Sequence, residues 1–372
     1  MAAEATRATL DGKTPDGHGG RMDPIQPISL DDIEAARGRI ANAAIRTPLV
    51  PLSTLGNEGT SDDSRSRDDS DHTDQVEESD HRIWLKLECL QSIGSFKIRG
   101  AANALALASA EELEQGVYTA SAGNMAQGVA YAARRLGVGC RVIVPDTAPR
   151  TKVEAIRALG GTVVPLPFQE WWTVIMEHGH PDESGFFVHP VSDPAVIAGN
   201  GTVGLEILEA WDEDAAGGAL EAVVVPYGGG GLSCGVASAL AARAPDVPVF
   251  AAEVETAAPF AASLEAGKAV TVERTPSFVD GIGGSSVLEE MWPLAESLLA
   301  GALVEPLSSV CDAIRTLAGS AHVVAEGAGG AAVAAARSWA AETEGHVVAV
   351  VSGGNIDTET LVTILEGRVP GE

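Results

Sequence analysis

The sequence predicts an α/β fold made of two open, mainly parallel, twisted sheets that are flanked by helices. From Ile83 onward, short apolar runs of strand length alternate with Ala-rich stretches of helical length. Glycine-rich turns follow several of these runs, as they do where a parallel strand leads into a helix. With 372 residues, the chain is long enough for one large domain or two coupled ones.

The N-terminal region predicts one helix between two polar segments. Residues 1–21 are polar and Gly-rich, without an apolar period, and are expected to form a disordered tail. Ser29 is the expected N-cap of a helix that runs to about Ala43, because the two aspartates that follow favour its positive end. Residues 57–80 contain many acids and almost no apolar side chains, which predicts a solvated loop between two strands.

The remaining chain predicts repeated βα units. The predicted strands are Ile83–Leu87, Gly116–Thr119, Arg141–Val144, Thr162–Leu166, Ala222–Pro226, Val249–Glu253 and Val347–Val351. Predicted helices between them include Ala101–Leu107, Ala126–Leu136, Thr151–Leu159, Gly201–Ala210 and Cys234–Ala242. Such alternation is typical of parallel sheets covered on both faces. Ligands of these sheets bind beyond the carboxyl ends of the strands, so the turns there are the candidate sites.

Composition and charge exclude several classes of partner. The formal net charge of −28 argues against nucleic acid, whose phosphates would be repelled. No apolar run reaches membrane-spanning length and the N-terminus lacks a signal-peptide pattern, so we expect a cytoplasmic protein without a membrane partner. The acid-rich, lysine-poor composition is typical of proteins in a salty cytoplasm, as in halophilic organisms. The cysteines lie far apart without CxxC spacing, which favours free buried thiols over a metal or disulfide framework.

A rare lysine marks the first candidate turn, SIGSFKIRG at residues 92–100. Lys97 stands there at a predicted strand–helix junction. The positive end of the helix dipole and partial desolvation would both lower the pKa of its amine, which suits a nucleophile that forms a Schiff base. Read alone, the turn favours a surface lysine whose stem covers apolar neighbours.

Three further turns carry groups that bind anions or polar atoms. In SAGNMAQG (121–128), free backbone N–H groups predict a carboxylate-binding nest, with a capping turn as the alternative. In GGGGLS (228–233), four glycines let the main chain approach a phosphate, whereas a flexible turn is the simpler explanation. In VVSGGN (350–355), a neutral hydroxyl is placed to meet a ring nitrogen or to cap a helix. Together, the four turns match the aldehyde, ring oxygen, phosphate and ring nitrogen of pyridoxal phosphate.

With these turns, the sequence resembles the fold-type-II pyridoxal-phosphate enzymes, and among them the threonine and serine dehydratases. The matching segments span most of the chain in the family's order: 85–105, 121–134, 189–208, 225–235, 278–284, 325–335 and 350–357. The resemblance implies a tryptophan-synthase-β-like fold and pyridoxal 5′-phosphate (PLP) as cofactor. It also implies β-elimination of a β-hydroxy amino acid, such as L-threonine or L-serine, to a 2-oxo acid and ammonia. An acid is needed for hydroxyl departure, and either the cofactor phosphate or the lysine amine could supply it.

The resemblance also assigns the site residues. Lys97 would hold the cofactor and act as general base and acid. The implied cofactor contacts are Phe96 near the ring, Asn124 at the ring oxygen, Gly228, Gly229, Gly230, Gly231 and Leu232 at the phosphate, Glu326 nearby, and Ser352 at the pyridine nitrogen. The implied substrate-binding residues are Ser121, Ala122, Gly123, Asn124 and Met125. Because a serine does not keep the pyridine nitrogen protonated as a carboxylate would, elimination is favoured over transamination.

Three departures from the family pattern qualify these expectations. Serine racemases of the group carry a second basic serine where this chain has Ala122, which disfavours racemisation. Met125 replaces a histidine that is common in dehydratases, and its apolar side chain beside the substrate would favour a bulkier or less polar amino acid. Glu255 matches the first acidic ligand of the family's cation site, but the later acidic position is Ala261, so no metal is expected.

The resemblance predicts the domain organisation and leaves alternatives open. A large domain would combine residues 22–114 and 193–372, and a small mobile domain would span 115–192. A C-terminal regulatory domain is not expected, whereas a homodimer or higher homo-oligomer is. The alternative activities on the same fold are a hydroxyamino acid racemase, a β-replacement enzyme, and a dehydratase of hydroxyaspartate or a bulkier substrate. A nucleotide-binding oxidoreductase or a non-catalytic binding module would leave Lys97 without a role.

Overall fold

The computed structural model describes residues 22–52, 82–214 and 218–371. The predicted tail (1–21) and the predicted acidic loop (57–80) lie outside the described residues. Ser29 caps the first helix as predicted, because its side chain accepts a hydrogen bond from the Asp32 backbone N–H at 3.1 Å. That helix ends at Ile40 instead of Ala43, and a short turn follows it.

The larger sheet has six strands in the described part of the chain. They are β1 (Leu49–Pro51), β2 (Ile83–Lys86), β7 (Leu220–Pro226), β8 (Val249–Val254), β9 (Gly301–Glu305) and β10 (His346–Val350). Across the sheet their order is β1-β2-β10-β7-β8-β9. Only β1 runs antiparallel to its neighbour, and the other pairs are parallel. The sheet therefore has the mainly parallel topology that the sequence predicted.

The smaller sheet is parallel throughout its described strands. These are β3 (Val117–Ala120), β4 (Cys140–Pro145), β5 (Thr162–Leu166) and β6 (Phe186–Phe187), in the order β5-β4-β3-β6. All four lie within residues 115–192, the range predicted for the small domain, and the strands of the larger sheet lie outside it. The mobility of this domain stays a prediction.

Helices cover both sheets. The α-helices of the described residues are α1 (Leu30–Ile40), α2 (Lys97–Leu107), α3 (Ala110–Leu113), α4 (Asn124–Leu136), α5 (Arg150–Ala158), α6 (Phe168–Met176), α7 (Pro194–Asp214), α8 (Gly231–Arg243), α9 (Pro259–Ala266), α10 (Trp292–Leu298), α11 (Leu307–Gly319), α12 (Gly327–Glu342) and α13 (Thr358–Leu365). None of these helices is long and apolar enough to cross a membrane.

All seven predicted strands are present, and their ends differ from the prediction by at most two residues. Four predicted helices are longer than expected, and two of them, α7 and α2, begin at least four residues early. α7 begins at Pro194, ahead of the predicted start at Gly201. α2 begins at Lys97, four residues before the predicted start, so Lys97 takes the first helical position. Lys97 therefore lies at the N-terminus of α2, which is the positive end of the helix dipole.

Alternating residues of the central strands build two separate cores. In β7, Ala222 and Val224 face a core shared with α11 and α12, whereas Val223 and Val225 face one shared with α7, α8 and α10. This period of two is what a strand buried on both faces requires. The smaller sheet is covered by α2 and α4 on one face and by α6 on the other. In both sheets, turns that were predicted as candidate sites follow the carboxyl ends of the strands.

A buried ion network lies beneath the turn that carries Lys97. Arg99 donates to Glu88 from Nε at 2.7 Å, and to Glu206 from one terminal nitrogen at 2.7 Å. Lys86 Nζ donates to Glu206 Oε2 at 2.6 Å, and to the Thr47 carbonyl oxygen at 2.7 Å. Arg99, Lys86 and Glu88 are at most 1% exposed, so two cations and two carboxylates balance one another in the protein interior.

Candidate active site

Lys97 presents its amine at the start of α2, where the structure gives it a single acceptor. Its Nζ donates to the Pro190 carbonyl oxygen at 2.8 Å and lies 5.1 Å from the centroid of the Phe96 ring. Burial lowers the pKa of Lys97 to about 8, although the carboxyl of Glu326 opposes this shift. A lowered pKa leaves a useful share of the amine unprotonated near neutral pH, as a nucleophile or general base requires.

The turn after β3 offers a group of free backbone donors. The Ser121 side-chain oxygen accepts a hydrogen bond from the Gly123 N–H at 3.2 Å, which holds the turn open. Among the described residues, no acceptor is found for the backbone N–H groups of Ala122, Asn124 and Met125. These N–H groups lie at the N-terminus of α4, where the helix dipole adds to their attraction for an anion. The arrangement suits a carboxylate.

The side chain of Met125 points into the core beside the smaller sheet. It is 2% exposed and packs in the core shared by α2, α4 and the smaller sheet. Its influence on the substrate preference stays a prediction. An apolar side chain at the second position of α4 contributes more by joining the core than by facing a polar cleft. The backbone N–H of Met125 is available to a ligand.

A chain of side-chain amides links the two sheets across the site. Asn124 Nδ2 donates to Glu326 Oε1 at 2.8 Å, and Asn124 Oδ1 accepts from Asn355 Nδ2 at 2.8 Å. Asn355 Nδ2 also donates to the Ile93 carbonyl oxygen at 2.9 Å. No role was predicted for Asn355, although it is the last residue of the VVSGGN turn. It holds Asn124 in a defined orientation.

Glu326 is a buried carboxyl beside Asn124. It is the N-cap residue of α12, and glycines make room for it: a Cβ on Gly353 would lie 2.5 Å from Glu326 Oε1, and one on Gly281 would lie 3.4 Å away. Burial raises the pKa of Glu326 to about 7, although the Asn124 amide opposes the shift. The carboxyl therefore exchanges a proton near neutral pH, as groups in active sites often do.

Glu326 is expected to make the protein less stable as the pH rises. Its pKa is about 7 in the folded protein against a reference of 4.5, so the unfolded chain releases this proton first. The stabilisation is complete below the lower pKa and is lost as the pH rises through the higher one. Relative to Glu326→Gln, the wild-type free energy of unfolding should fall by about 2 kcal/mol between about pH 5.5 and about pH 8. Urea unfolding of both proteins measures this difference, and a difference that stays constant with pH would contradict it.

The glycine loop forms a cradle of unpaired backbone donors. The backbone N–H groups of residues 228–233 have no acceptor in the described parts of the chain. Gly230 has φ of +93°, which strongly favours glycine, and the loop passes directly into α8. A Cβ on Gly229 would lie 2.6 Å from Val191 Cγ1, so a neighbouring segment closes one side of the loop. Consecutive free N–H groups at a helix start are suited to a phosphate.

Ser352 follows β10, at the carboxyl edge of the larger sheet. It is 2% exposed, and its carbonyl oxygen accepts from the Phe96 N–H at 3.0 Å, which ties it to the turn of Lys97. Its hydroxyl donates to no residue that the structure describes. A hydroxyl without a protein partner is suited to a polar atom of a ligand.

A cleft of about 210 Å³ opens between the two sheets. It is lined by Gly123, Asn124, Gln127, Thr151, Lys152, Ala155, Asp280, Gly281, Glu326, Asn355, Ile356 and Asp357. It reaches Asn124 and Glu326, whereas Lys97 and the glycine loop are not in its lining. Two contacts cross it: Lys152 donates to Asp280, and Thr151 Oγ1 donates to Asp357 Oδ1 at 3.2 Å. Because Thr151 and Lys152 belong to α5, these contacts link that helix to residues outside the range 115–192.

The described residues contain no group of three or more His, Cys, Asp or Glu side chains arranged to hold a metal ion. The Glu255 carboxylate accepts the Leu307 N–H at 2.9 Å, and the residue is exposed. The preceding acid in β8, Glu253, accepts the backbone N–H groups of Phe260 and Ala261 at 2.9 and 2.8 Å. Both carboxylates thus bind the starts of neighbouring helices, in agreement with the dipole direction.

Comparison with known proteins identifies the family. The model of the pyridoxal-phosphate dependent enzymes matches residues 40–353. The chain belongs to this family. The curated L-threonine ammonia-lyase of Thermotoga maritima is 37% identical over 340 residues, which cover 91% of this chain and 78% of that protein. This likeness places the chain with the threonine dehydratases among the PLP-dependent enzymes.

Two further comparisons agree. A biosynthetic L-threonine dehydratase of Burkholderia multivorans is 39% identical over 78% of this chain, which spans only 58% of that protein's length. The solved structure of maize serine racemase superimposes with a TM-score of 0.78 at 29% identity, covering 92% of this chain and 98% of that one. The fold is therefore that of the PLP-dependent dehydratases and racemases, as the sequence resemblance implied.

The described residues fit PLP. An aldehyde needs an amine, and Lys97 offers one with a lowered pKa. A phosphate needs several donors at close range, and residues 228–233 supply unpaired N–H groups where a Cβ on Gly229 would be obstructed. A pyridine nitrogen needs a polar partner, and the hydroxyl of Ser352 makes no hydrogen bond to any residue that the structure describes. Donor types and their positions at the strand ends thus agree with the cofactor of the family.

Proposed function

We propose that the protein catalyses PLP-dependent β-elimination of a β-hydroxy amino acid such as L-threonine or L-serine, giving a 2-oxo acid and ammonia. The observation that carries the proposal is the combination of three features at the strand ends. They are the Lys97 amine with its lowered pKa, the free backbone N–H groups of residues 228–233, and the free backbone N–H groups in the turn of residues 121–125. Its relatives named L-threonine ammonia-lyase and L-threonine dehydratase support it. When bound, PLP withdraws electrons from the α-carbon of the amino acid and so weakens the bonds to be broken.

Lys97 is the proposed attachment point of the cofactor and the proposed general base. Once the substrate amine has replaced it, its Nζ is free to take the α-proton, since its pKa of about 8 is close to the working pH. The Pro190 carbonyl accepts one N–H of this amine and limits its motion. Phe96, with its ring 5.1 Å from Nζ, is the proposed packing partner of the cofactor ring.

The turn of residues 121–125 is the proposed carboxylate site of the substrate. The free N–H groups of Ala122, Asn124 and Met125 would bind the two carboxylate oxygens, and Ser121 keeps the turn in shape. Since a carboxylate is fixed there, the α-proton is held at one place relative to Lys97. Thr151 and Lys152 of α5 reach across the cleft to the larger domain, which supports a small domain that closes over the substrate.

The cofactor contacts are proposals of the same kind. The backbone N–H groups of Gly228, Gly229, Gly230, Gly231 and Leu232 would hold the phosphate, and Ser352 would meet the pyridine nitrogen. One N–H of the Asn124 amide is used by Glu326, which leaves the other for the ring oxygen. Glu326 accepts a hydrogen bond from Asn124 and therefore lies in the same site. With a pKa of about 7, its carboxyl would take up or release a proton there near neutral pH.

Racemisation is the second candidate activity, because maize serine racemase shares the fold. A racemase needs an acid–base group on each face of the α-carbon. The position that carries a second basic serine in racemases of this group is Ala122, whose methyl group cannot carry a proton. Elimination needs only the one base and is therefore favoured.

A panel of amino acids tests the proposed activity. L-Threonine, L-serine and larger or acidic β-hydroxy amino acids are supplied to the purified enzyme, while 2-oxo acid, ammonia and α-proton exchange with solvent are measured. We expect stoichiometric 2-oxo acid and ammonia from at least one of them. Exchange of the α-proton without ammonia from any substrate would contradict the proposal and favour racemisation.

Gly229→Ala is expected to weaken PLP binding about 10- to 100-fold, because overpacking costs about 1–3 kcal/mol. The new Cβ would lie 2.6 Å from Val191 Cγ1 and would displace either the loop or its neighbour. The matched control is Gly38→Ala in α1, where no atom lies within 4 Å of the new Cβ. Titration of the cofactor-stripped proteins with PLP, followed by near-visible absorbance, measures both affinities. Wild-type affinity in Gly229→Ala would show that the loop does not hold the phosphate.

We also propose that the protein is cytoplasmic, adapted to high salt, and assembled as a homodimer or higher oligomer. The net charge of −28 and the presence of only five lysines support the salt adaptation. The assembly rests on the family resemblance alone. Sedimentation at low and high salt tests the salt adaptation and the assembly.

A further inference from the structure

The turn formed by residues 189–192 links β6 to α7 and touches two parts of the proposed cofactor site. The Pro190 carbonyl oxygen accepts the hydrogen bond of Lys97 Nζ at 2.8 Å. The side chain of Val191 fills the space beside Gly229, since a Cβ there would lie 2.6 Å from Val191 Cγ1. Because the interior is close-packed, a shift of this turn would move the acceptor of Lys97 and the wall of the glycine loop together.

One imidazole ring holds the turn in place. His189 Nδ1 accepts the backbone N–H groups of Ser192 at 2.7 Å and Val191 at 3.1 Å. Its Nε2 lies 3.1 Å from the Ile175 carbonyl oxygen, which only accepts, so Nε2 carries the proton and the ring is neutral. Burial, with a contribution from His178, lowers the pKa of His189 to about 3. The ring therefore stays neutral over the whole range in which the enzyme would work.

The ionisable groups around this ring come from both domains. His178, at the end of α6, stacks on His189 with ring centroids 4.1 Å apart, and its Nε2 lies 3.2 Å from Ser192 Oγ. Ser192 Oγ donates to Glu290 Oε1 at 2.8 Å, and His178 Nε2 lies 3.4 Å from the same oxygen. Asp193 is used by the first backbone N–H groups of α7. Because Glu290 belongs to the larger domain, its hydrogen bond with Ser192 holds the last residue of the turn against that domain.

We propose that His189 is a positioning residue for the reaction of Lys97: through Nδ1 it fixes the turn that presents the Pro190 carbonyl to the amine. It touches neither substrate nor cofactor in this role and acts through the backbone of the turn. The proposal rests on the proposed function, in which Lys97 is a free amine whenever it is not bonded to the cofactor. An amine held through one N–H keeps its lone pair directed while it takes the α-proton.

Two amide variants separate the roles of the two ring nitrogens. In His189→Asn, the amide oxygen lies near the position of Nδ1 and still accepts the N–H groups of the turn. In His189→Gln, the amide nitrogen lies near the position of Nε2 and still donates to Ile175, but the turn loses its acceptor. His180→Asn and His180→Gln are matched controls, because the ring of His180 accepts the Asp182 N–H on the same segment and does not contact the turn.

The two variants are expected to differ in rate and in spectrum. In His189→Gln, kcat/KM for the best substrate of the panel should fall about 100-fold, mainly through kcat, because the amine is misplaced. The midpoint of the pH titration of the near-visible cofactor absorbance should shift by about one pH unit or more. His189→Asn should stay within about tenfold of the wild type in rate and keep the wild-type midpoint. Both His180 controls should match the wild type.

Three outcomes would overturn the proposal: equal losses in the two variants, a greater loss in His189→Asn, or an unshifted titration in His189→Gln. If His189→Gln does not fold, His189→Asn carries the test alone, and a loss of more than about tenfold with a shifted midpoint counts against the role of Nδ1. A failure of the proposed function would look different. In that case wild-type enzyme releases no ammonia from any substrate, while the absorbance titration of the variants can still be measured.

Discussion

The Lys97→Ala variant is expected to release 2-oxo acid and ammonia at least about 10⁴-fold more slowly than the wild type, because it loses both the covalent attachment and the general base. The amine is the group whose position and lowered pKa support the proposed chemistry. Steady-state assays at saturating substrate and added PLP measure the loss in kcat. A fold check by circular dichroism belongs to the same experiment, since Lys97 begins α2.

Lys268→Ala is the matched control, because Lys268 is exposed and lies outside the site. It should keep the activity of the wild type. If Lys97→Ala loses less than about tenfold in rate, another group must act as the base. That result would contradict the assignment of Lys97 even if the overall reaction is as proposed.

Arg99→Met is expected to cause the largest loss of stability, about 3–5 kcal/mol in the free energy of unfolding. The variant removes every hydrogen bond that Arg99 makes to Glu88 and Glu206, while the methionine keeps most of the side-chain volume. Burial alone would raise the pKa of Glu88, but the charge and hydrogen bonds of Arg99, together with Lys86 and Thr47, outweigh it and the pKa is lowered. Without Arg99, a fully buried carboxylate would have to take up a proton or remain unpaired.

A surface ion pair provides the comparison for Arg99→Met. Arg37 pairs with Glu209 at the protein surface, where the two side chains are 44% and 31% exposed. Arg37→Met should change the free energy of unfolding by at most about 1 kcal/mol, because water screens such pairs. Urea unfolding at equal pH and salt measures both variants. Similar small losses in the two would show that the buried network does not support the fold.

The parts of the fold that carry strong local patterns could be predicted from the sequence. The seven predicted strands are found because each is a short apolar run followed by a turn. The strands β6 and β9 were not predicted, since β6 is two residues long and β9 is mostly half-buried, with one exposed residue. Short or partly exposed strands leave too little apolar pattern to recognise, and pairing with a neighbour decides their conformation.

The candidate site residues predicted from the sequence lie in glycine-rich turns that follow strands. Residues that act through their backbone, or through contacts with residues distant in sequence, were not predicted. Pro190 acts through its carbonyl oxygen, which every residue type possesses. The network of Arg99 joins residues that lie 11 and 107 positions away in the chain, a distance that no local pattern bridges. The burial of the Met125 side chain was not predicted, because its neighbours in sequence belong to the turn, whereas its position on α4 directs the side chain into the core.

The most direct test of the account is to locate the cofactor on the chain. Borohydride reduction of the purified enzyme traps PLP on the amine to which it is bonded, and peptide mass spectrometry then identifies that residue. We expect the pyridoxyl group on Lys97, together with loss of the near-visible absorbance. Modification of Lys86, Lys152 or Lys268 with Lys97 left unmodified would contradict the account, because it would place the chemistry away from the glycine loop and the carboxylate nest.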